Sequence, residues 1–210
     1  SIAFLFDNNY LFDPFNGLKD LESSLLRTHS ETNLMNDPLR ILRCFRFVSE
    51  FNFKIDQDLI TYIKKNKGKL YFVAKERINY EIQKIVNGAN ALKAVILVKN
   101  FNIFGSDNLY KDSFFLDLQN INYEELNQYE KENFLPFFFI TQILDEVSLS
   151  KYKFSRAEIV RTKLLRKWHF FLKKKNITKL NELDRFELHQ ELEMFLPSFI
   201  FYLPQKLRFD

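Results

Sequence analysis

One cysteine, four glycines and five prolines among 210 residues exclude several kinds of protein. With Cys44 alone the chain forms no internal disulfide and no thiol-rich zinc cluster, and it suits a reducing, cytoplasmic setting. Scarce glycine and proline remove the punctuation that a turn-rich sheet fold requires and favour long helices instead. The three histidines, His29, His169 and His189, are too widely spaced for a local metal motif. No apolar run reaches the roughly 18 residues of a membrane span, since "FLPFFFITQIL" (134–144) is short and borders charge. The opening "SIAFLFDNNYLFD" lacks a basic region with a cleavage pattern, and it lacks a methionine, so it reads as the interior of a domain.

What is abundant is phenylalanine, with 25 residues. Hydrophobic residues make up 46% and charged ones 28%, the balance of an ordered protein with a sizeable core and one to two domains. A net charge of +4 and a pI near 9.0 permit a polyanionic partner without requiring one. The pattern predicts a short hairpin within residues 2–12, a turn at "DPFNG" and a helix from Leu18 to about Arg27. A longer helix follows, with Asn36 or Asp37 as cap, Pro38 in the first turn and Leu39, Ile41, Leu42, Phe45 and Val48 facing inward. Further helices are expected over 57–66 with Asp56 as cap, over 75–86 with Ile78, Ile82 and Ile85 buried, and over 89–98. Residues 102–113 read as a loop, with a domain boundary near 88–105. Beyond it, helices are predicted from Tyr123 to Asn133, around a break at Pro136, after a Ser155 cap, and through "LDRFELHQELEMFLPSFIFYLP".

In "NLMNDPLRILRCFRF" (33–47) arginine recurs every third residue. Such positions advance about 300° on a helix, so Arg40, Arg43 and Arg46 form one slowly drifting stripe, with Asp37 at its mouth and Glu50 a turn beyond. A solvated or salt-bridged face is the simpler account of the spacing. The other is a nucleotide site built from Asp37, Arg40 and Arg43. A carboxylate accepts from an exocyclic amine while a guanidinium donates to the adjacent ring nitrogen, a pattern shared by cytosine and adenine. Uracil and guanine reverse it, and would oppose like to like at roughly several kcal/mol. Cys44, inside this helix, reads as a small buried side chain and not a nucleophile, and "FLPFFFI" as core.

Three stretches in order, "DPFNGLKDLESSLLR" (13–27), "ETNLMNDPLRILRCFRF" (31–47) and "KERINYEIQKIV" (75–86), resemble the bacterial-type tRNA nucleotidyltransferase and poly(A) polymerase family, which includes CCA-adding enzymes. The resemblance covers about residues 1–90. It implies a mainly α-helical chain: the C-terminal end of a small α/β nucleotidyltransferase head (1–30), a nucleotide-selecting and RNA-binding helical neck (31–90) and a helical body and tail (91–210). It places nucleotide selection on Asp37 and Arg40 with Arg43 beside them. Asp13, Gly17, Asp20 and Arg27 would couple head to neck, and Arg46, Glu76, Arg77 and Glu81 would brace the neck. The family has Glu before the Asp where this chain has Asn36, which removes a charge beside Arg40.

The family's Gly-rich strand-turn with an Asp-x-Asp pair beside it does not occur in these residues. Two-metal transfer needs such carboxylates, so the reading is of a fragment with no catalytic or metal-binding residues of its own, Mg2+ belonging to the full-length enzyme. The implied activity is addition of CMP and AMP from CTP and ATP to the 3′ end of tRNA. Alternatives are an A-adding enzyme or poly(A) polymerase, and a noncatalytic helical RNA-binding protein. The basic run "RAEIVRTKLLRKWHFFLKKK" adds Arg161, Lys163, Arg166 and Lys167 as candidate contacts to tRNA phosphates, against the plainer role of solvating a helix face. No membrane partner is implied, and nothing specifies an oligomeric state.

Overall fold

Apolar residues at helical spacing account for most of the computed structural model, which describes residues 2–104, 126–175, 177–199 and 201. The chain opens with β1 (Ala3–Leu5) and β2 (Tyr10–Phe12), paired antiparallel with Phe4 opposite Leu11. All six strand residues are exposed. Helix α1 (Gly17–Glu22) follows, and here the structure corrects the expected helix to Arg27. Ser24 turns the chain with a φ of 51°, and β3 (Leu25–Leu26) pairs in parallel with β4 (Lys54–Ile55). The carbonyls of Ser24 and Leu26 accept from the N–H groups of Lys54 and Asp56 at 2.8 and 2.9 Å, so a long-range ladder takes the place of another helical turn.

A second short helix, α2 (Glu31–Asn36), starts at Ser30, whose side chain accepts from the Thr32 N–H. Asp37 ends α2 instead of capping the next helix with its carboxylate; its carbonyl accepts from the Arg40 N–H at 3.0 Å. Helix α3 (Leu39–Phe51) buries Leu39, Ile41, Leu42, Phe45, Val48 and Ser49, and stops where Asn52 turns left-handed at φ 58°. Asp56 caps α4 (Gln57–Asn66) as its sequence implies. A 3-10 turn over Lys67–Phe72 leads into α5 (Lys75–Val86), and α6 (Ala91–Asn100) returns across α3.

Helices α3, α5 and α6 pack on one another, and Phe45, Val48, Ile78, Ile82, Ile85, Ala94 and Val98 all belong to one buried cluster. The close crossing depends on Gly88. A Cβ there would lie 2.2 Å from Ser49 Oγ and 2.8 Å from the Ser49 backbone. Buried Ser49 donates to the Ile85 carbonyl at 2.6 Å and accepts the Asn90 N–H at 2.8 Å, which ties the α5–α6 turn to α3.

The predicted loop lies largely outside the described residues, as do the first three residues of the helix expected from Tyr123 to Asn133, of which the later part is helical. From Gln128 the chain forms α7 (Gln128–Asn133), α8 (Leu135–Ile143) and α9 (Glu146–Lys151), with the expected break falling at Phe134 and Pro136 in the first turn of α8. Phe137 to Ile143 are all buried, and α8 packs on α5 and α6. Ser155 and Glu158 form a capping box for α10 (Arg156–Lys174), followed by α11 (Glu182–Leu192) and α12 (Leu196–Phe199). Asn79 donates to the Tyr152 carbonyl at 3.0 Å, joining the two halves. Among the described residues no helix is long and apolar enough to cross a membrane.

Candidate nucleotide-selecting site

The α2–α3 junction sets half-buried Asp37 against the start of α5, with its Oδ1 3.6 Å from Arg77 Nη2. Arg40, exposed, is the second residue of α3 on the same stretch of chain. Behind them the arginine stripe converges on a single buried carboxylate. Glu81 Oε1 accepts from Arg43 Nε at 3.3 Å, Glu81 Oε2 accepts from Arg46 Nη1 at 3.1 Å, and Glu50 lies 3.6 Å from Arg46 Nε. Two members of the stripe, Arg43 and Arg46, thus share the one carboxylate of Glu81.

Arg77 and Glu81 stand four apart on α5, hence on one face, and both reach across to the α3 stripe or its mouth. Sequence reading gave them a bracing role and missed that Arg77 contacts Asp37 itself. Glu76 is exposed in the first turn of α5. Cys44 packs against the core, and desolvation pushes its thiol up to about 12, so it is neutral near pH 7.

At the other end, Asp13 accepts from the Gly17 and Leu18 N–H groups at 2.8 and 2.9 Å. These donors, Leu18 first, hold its carboxyl below the usual range. A Cβ on Gly17 would come within 3.1 Å of Ile2 Cγ1. Asp20 forms a two-point pair with Arg27 that ties α1 to the segment leaving β3.

On α10 the expected row of phosphate-facing cations is corrected. Arg166 is 3% exposed; it pairs with Glu146 at 2.6 Å and donates to the Leu144 carbonyl at 2.6 Å and that of Thr141 at 3.3 Å. It clamps the end of α8 and has no surface to offer RNA. Arg161 stacks 4.0 Å over the Phe137 ring and bonds Ser198. Lys167 is exposed and bonds both oxygens of Glu191, and Lys163 is exposed on the same helix.

Among the described residues no three His, Cys, Asp or Glu side chains gather in a manner that could hold a metal ion. The described site therefore offers hydrogen-bonding edges and positive charge, chemistry suited to reading a base and holding a phosphate.

Residues 52–106 match the family described as "Probable RNA and SrmB- binding site of polymerase A". A CCA-adding enzyme of Francisella tularensis subsp. novicida is 34% identical over 129 residues, half of this chain and 34% of that protein. A CC-adding tRNA nucleotidyltransferase of Shouchella clausii is 37% identical over 79 residues, 37% of this chain and 21% of that protein. The solved Thermotoga maritima CCA-adding enzyme complexed with tRNA shares the fold over 98% of this chain and 54% of its own, with a TM-score of 0.71 at 20% identity. The chain thus spans about a third or less of these relatives and about half of the solved chain. Family match, relatives and fold agree that this is a mainly helical chain similar to the neck and body region of CCA-adding enzymes.

Proposed function

We propose that the chain supplies nucleotide selection and RNA holding to a tRNA nucleotidyltransferase that adds CMP and AMP from CTP and ATP to the tRNA 3′ end, releasing pyrophosphate. The observation that carries this is the contact of Asp37 with Arg77 at the mouth of an arginine stripe whose inner members are fixed on Glu81. In this reading an incoming base displaces Arg77 from Asp37. The carboxylate then accepts from the exocyclic amine of C or A, and Arg40 donates to the neighbouring ring nitrogen. Glu81 holds Arg43 through Nε, so the Nη groups of Arg43 are the donors for phosphate or base. Uracil and guanine leave both protein groups mismatched and are rejected.

The regions 1–30, 31–90 and 91–210 would serve as the end of the head, the neck, and the body with tail. Asp13, Gly17, Asp20 and Arg27 would carry motion between head and neck, since their bonds join the turn, α1 and the exit of β3. Outer cations of α10, Lys163 and Lys167, would meet tRNA phosphates, with Arg161 positioned behind them. The protein would work in the cytoplasm. Mg2+ would support phosphoryl transfer in the full-length protein, but the described residues do not fit a metal site, so the ion enters no step assigned to them.

Because the relatives include a CC-adding enzyme, the product must be read directly. The full-length protein is given tRNA ending before CCA, after C and after CC, with CTP and ATP. Addition of C, C and then A is expected; product confined to A, or to C, would overturn CCA addition. In the same assay Asp37→Ala and Arg40→Ala should lower correct incorporation at least about tenfold more than tRNA affinity. Equal losses for every nucleotide and for tRNA affinity would make the pair structural.

A further inference from the structure

Between α4 and α5 the segment "KKNKGKLYFVAK" (64–75) carries five lysines and no acid, with Glu76 the first carboxylate after it. Its 3-10 turn is anchored from below. Leu70 and Val73 are buried, and Lys67 Nζ donates to the carbonyls of Phe101 and Asn102 at 2.9 Å each. Yet on this fixed base Tyr71 is 67% and Phe72 83% exposed, their rings edge to face with centroids 5.5 Å apart. Two cations flank the Tyr71 ring: Lys75 Nζ at 4.9 Å, and Lys151 Nζ, from the end of α9, at 5.6 Å. Lys75 also donates to the Tyr71 carbonyl at 2.6 Å, which fixes it beside the ring.

Exposed rings on a rigid turn present π faces to solvent, and lysines on both sides supply what a phosphate backbone needs. An apolar protein partner would match the rings but leave the lysine run unanswered, so charge favours nucleic acid. Helix α5 starts directly after this turn and brings Arg77 to Asp37. A strand lying on the turn would thus meet the same helix that closes the selecting site.

We propose that Tyr71 and Phe72, flanked by Lys75 and Lys151, form a stacking platform for single-stranded RNA. The identification of that RNA with a tRNA 3′ end rests on the function proposed above; the stacking itself does not. Two bases stack on the two rings while the lysines meet the phosphates between and beyond them, without preference for sequence.

The test is fluorescence anisotropy with a labelled oligoribonucleotide of mixed sequence and the whole 210-residue chain. Tyr71→Ala with Phe72→Ala should weaken binding at least about tenfold, at an unchanged salt slope. Lys75→Gln with Lys151→Gln should weaken it and flatten the slope by about 1.4. Both pairs lie at the surface, and circular dichroism checks that each variant is folded. A parent chain that binds no RNA, an aromatic variant that binds as the parent does, or one that loses a protein partner but not RNA would each overturn the platform. Nucleotide choice by the full-length protein separates the two proposals. Lost RNA affinity with base preference unmoved in Asp37→Ala leaves the platform standing and removes the selector. Unchanged RNA affinity with altered preference in Asp37→Ala does the reverse.

Discussion

Glu81 is the single carboxylate on which two members of the arginine stripe depend, and its removal has a magnitude that follows from exposure. Its side chain is 2% exposed, that of Arg46 20% and that of Arg43 43%. Water reaches Arg43 well enough that its share is at most about 1 kcal/mol. The Arg46 pair is different. Removing one partner of a buried ion pair costs about 3–5 kcal/mol because the other charge is left desolvated, and the partial exposure of Arg46 places this case near the lower end. Glu81→Ala is therefore expected to destabilise the chain by about 3 kcal/mol, or roughly 6–12 °C in melting temperature for a chain of this size. Urea titration followed by circular dichroism measures the former and a thermal melt the latter. The accompanying cycle of Arg46→Ala and the double variant should return a coupling of about 2 kcal/mol. A loss under about 1 kcal/mol for Glu81→Ala, or strict additivity, would show that the stripe is not organised by this residue.

Gly88→Ala should be among the most damaging small substitutions, about 3 kcal/mol, because its methyl would meet the Ser49 backbone, which cannot rotate away. Gly68→Ala, with nothing within 4 Å of the added carbon, is the control, and denaturant midpoints of the two should separate clearly. Cys44, with its thiol pushed up to about 12, should resist alkylation at pH 8 in the folded chain. Far fewer thiols are ionised there than in the unfolded chain, where about one in four is. Labelling should therefore track unfolding; rapid reaction without denaturant would refute the packing around it.

The long helices were legible because their signals are local. Asp56 and Ser155 cap where their positions implied, and Lys75–Val86 buries the isoleucines that recur along it. Failures came where distant residues decide. Leu25 and Leu26 leave helical geometry because Lys54 and Asp56 supply a ladder that no window around residue 25 contains. Arg166 shares a face with buried Thr162 and His169, and its partners are carbonyls of another helix, so counting charge along α10 made it a surface cation. At the site, the chemistry of Asp37 and the arginines could be argued from spacing and resemblance. The contact with Arg77 could not, since it joins a helix junction to the start of α5 across the fold.

The selecting role of Asp37 is tested most directly by the ratio of kcat/KM for CTP over UTP in the full-length protein, measured on tRNA lacking its CCA end. The parent is expected to prefer CTP strongly. Asp37→Asn, whose amide offers a donor as well as an acceptor, should narrow that preference by about thirtyfold or more while tRNA affinity holds. A preference for CTP that survives Asp37→Asn intact would contradict the assignment of this carboxylate to the base.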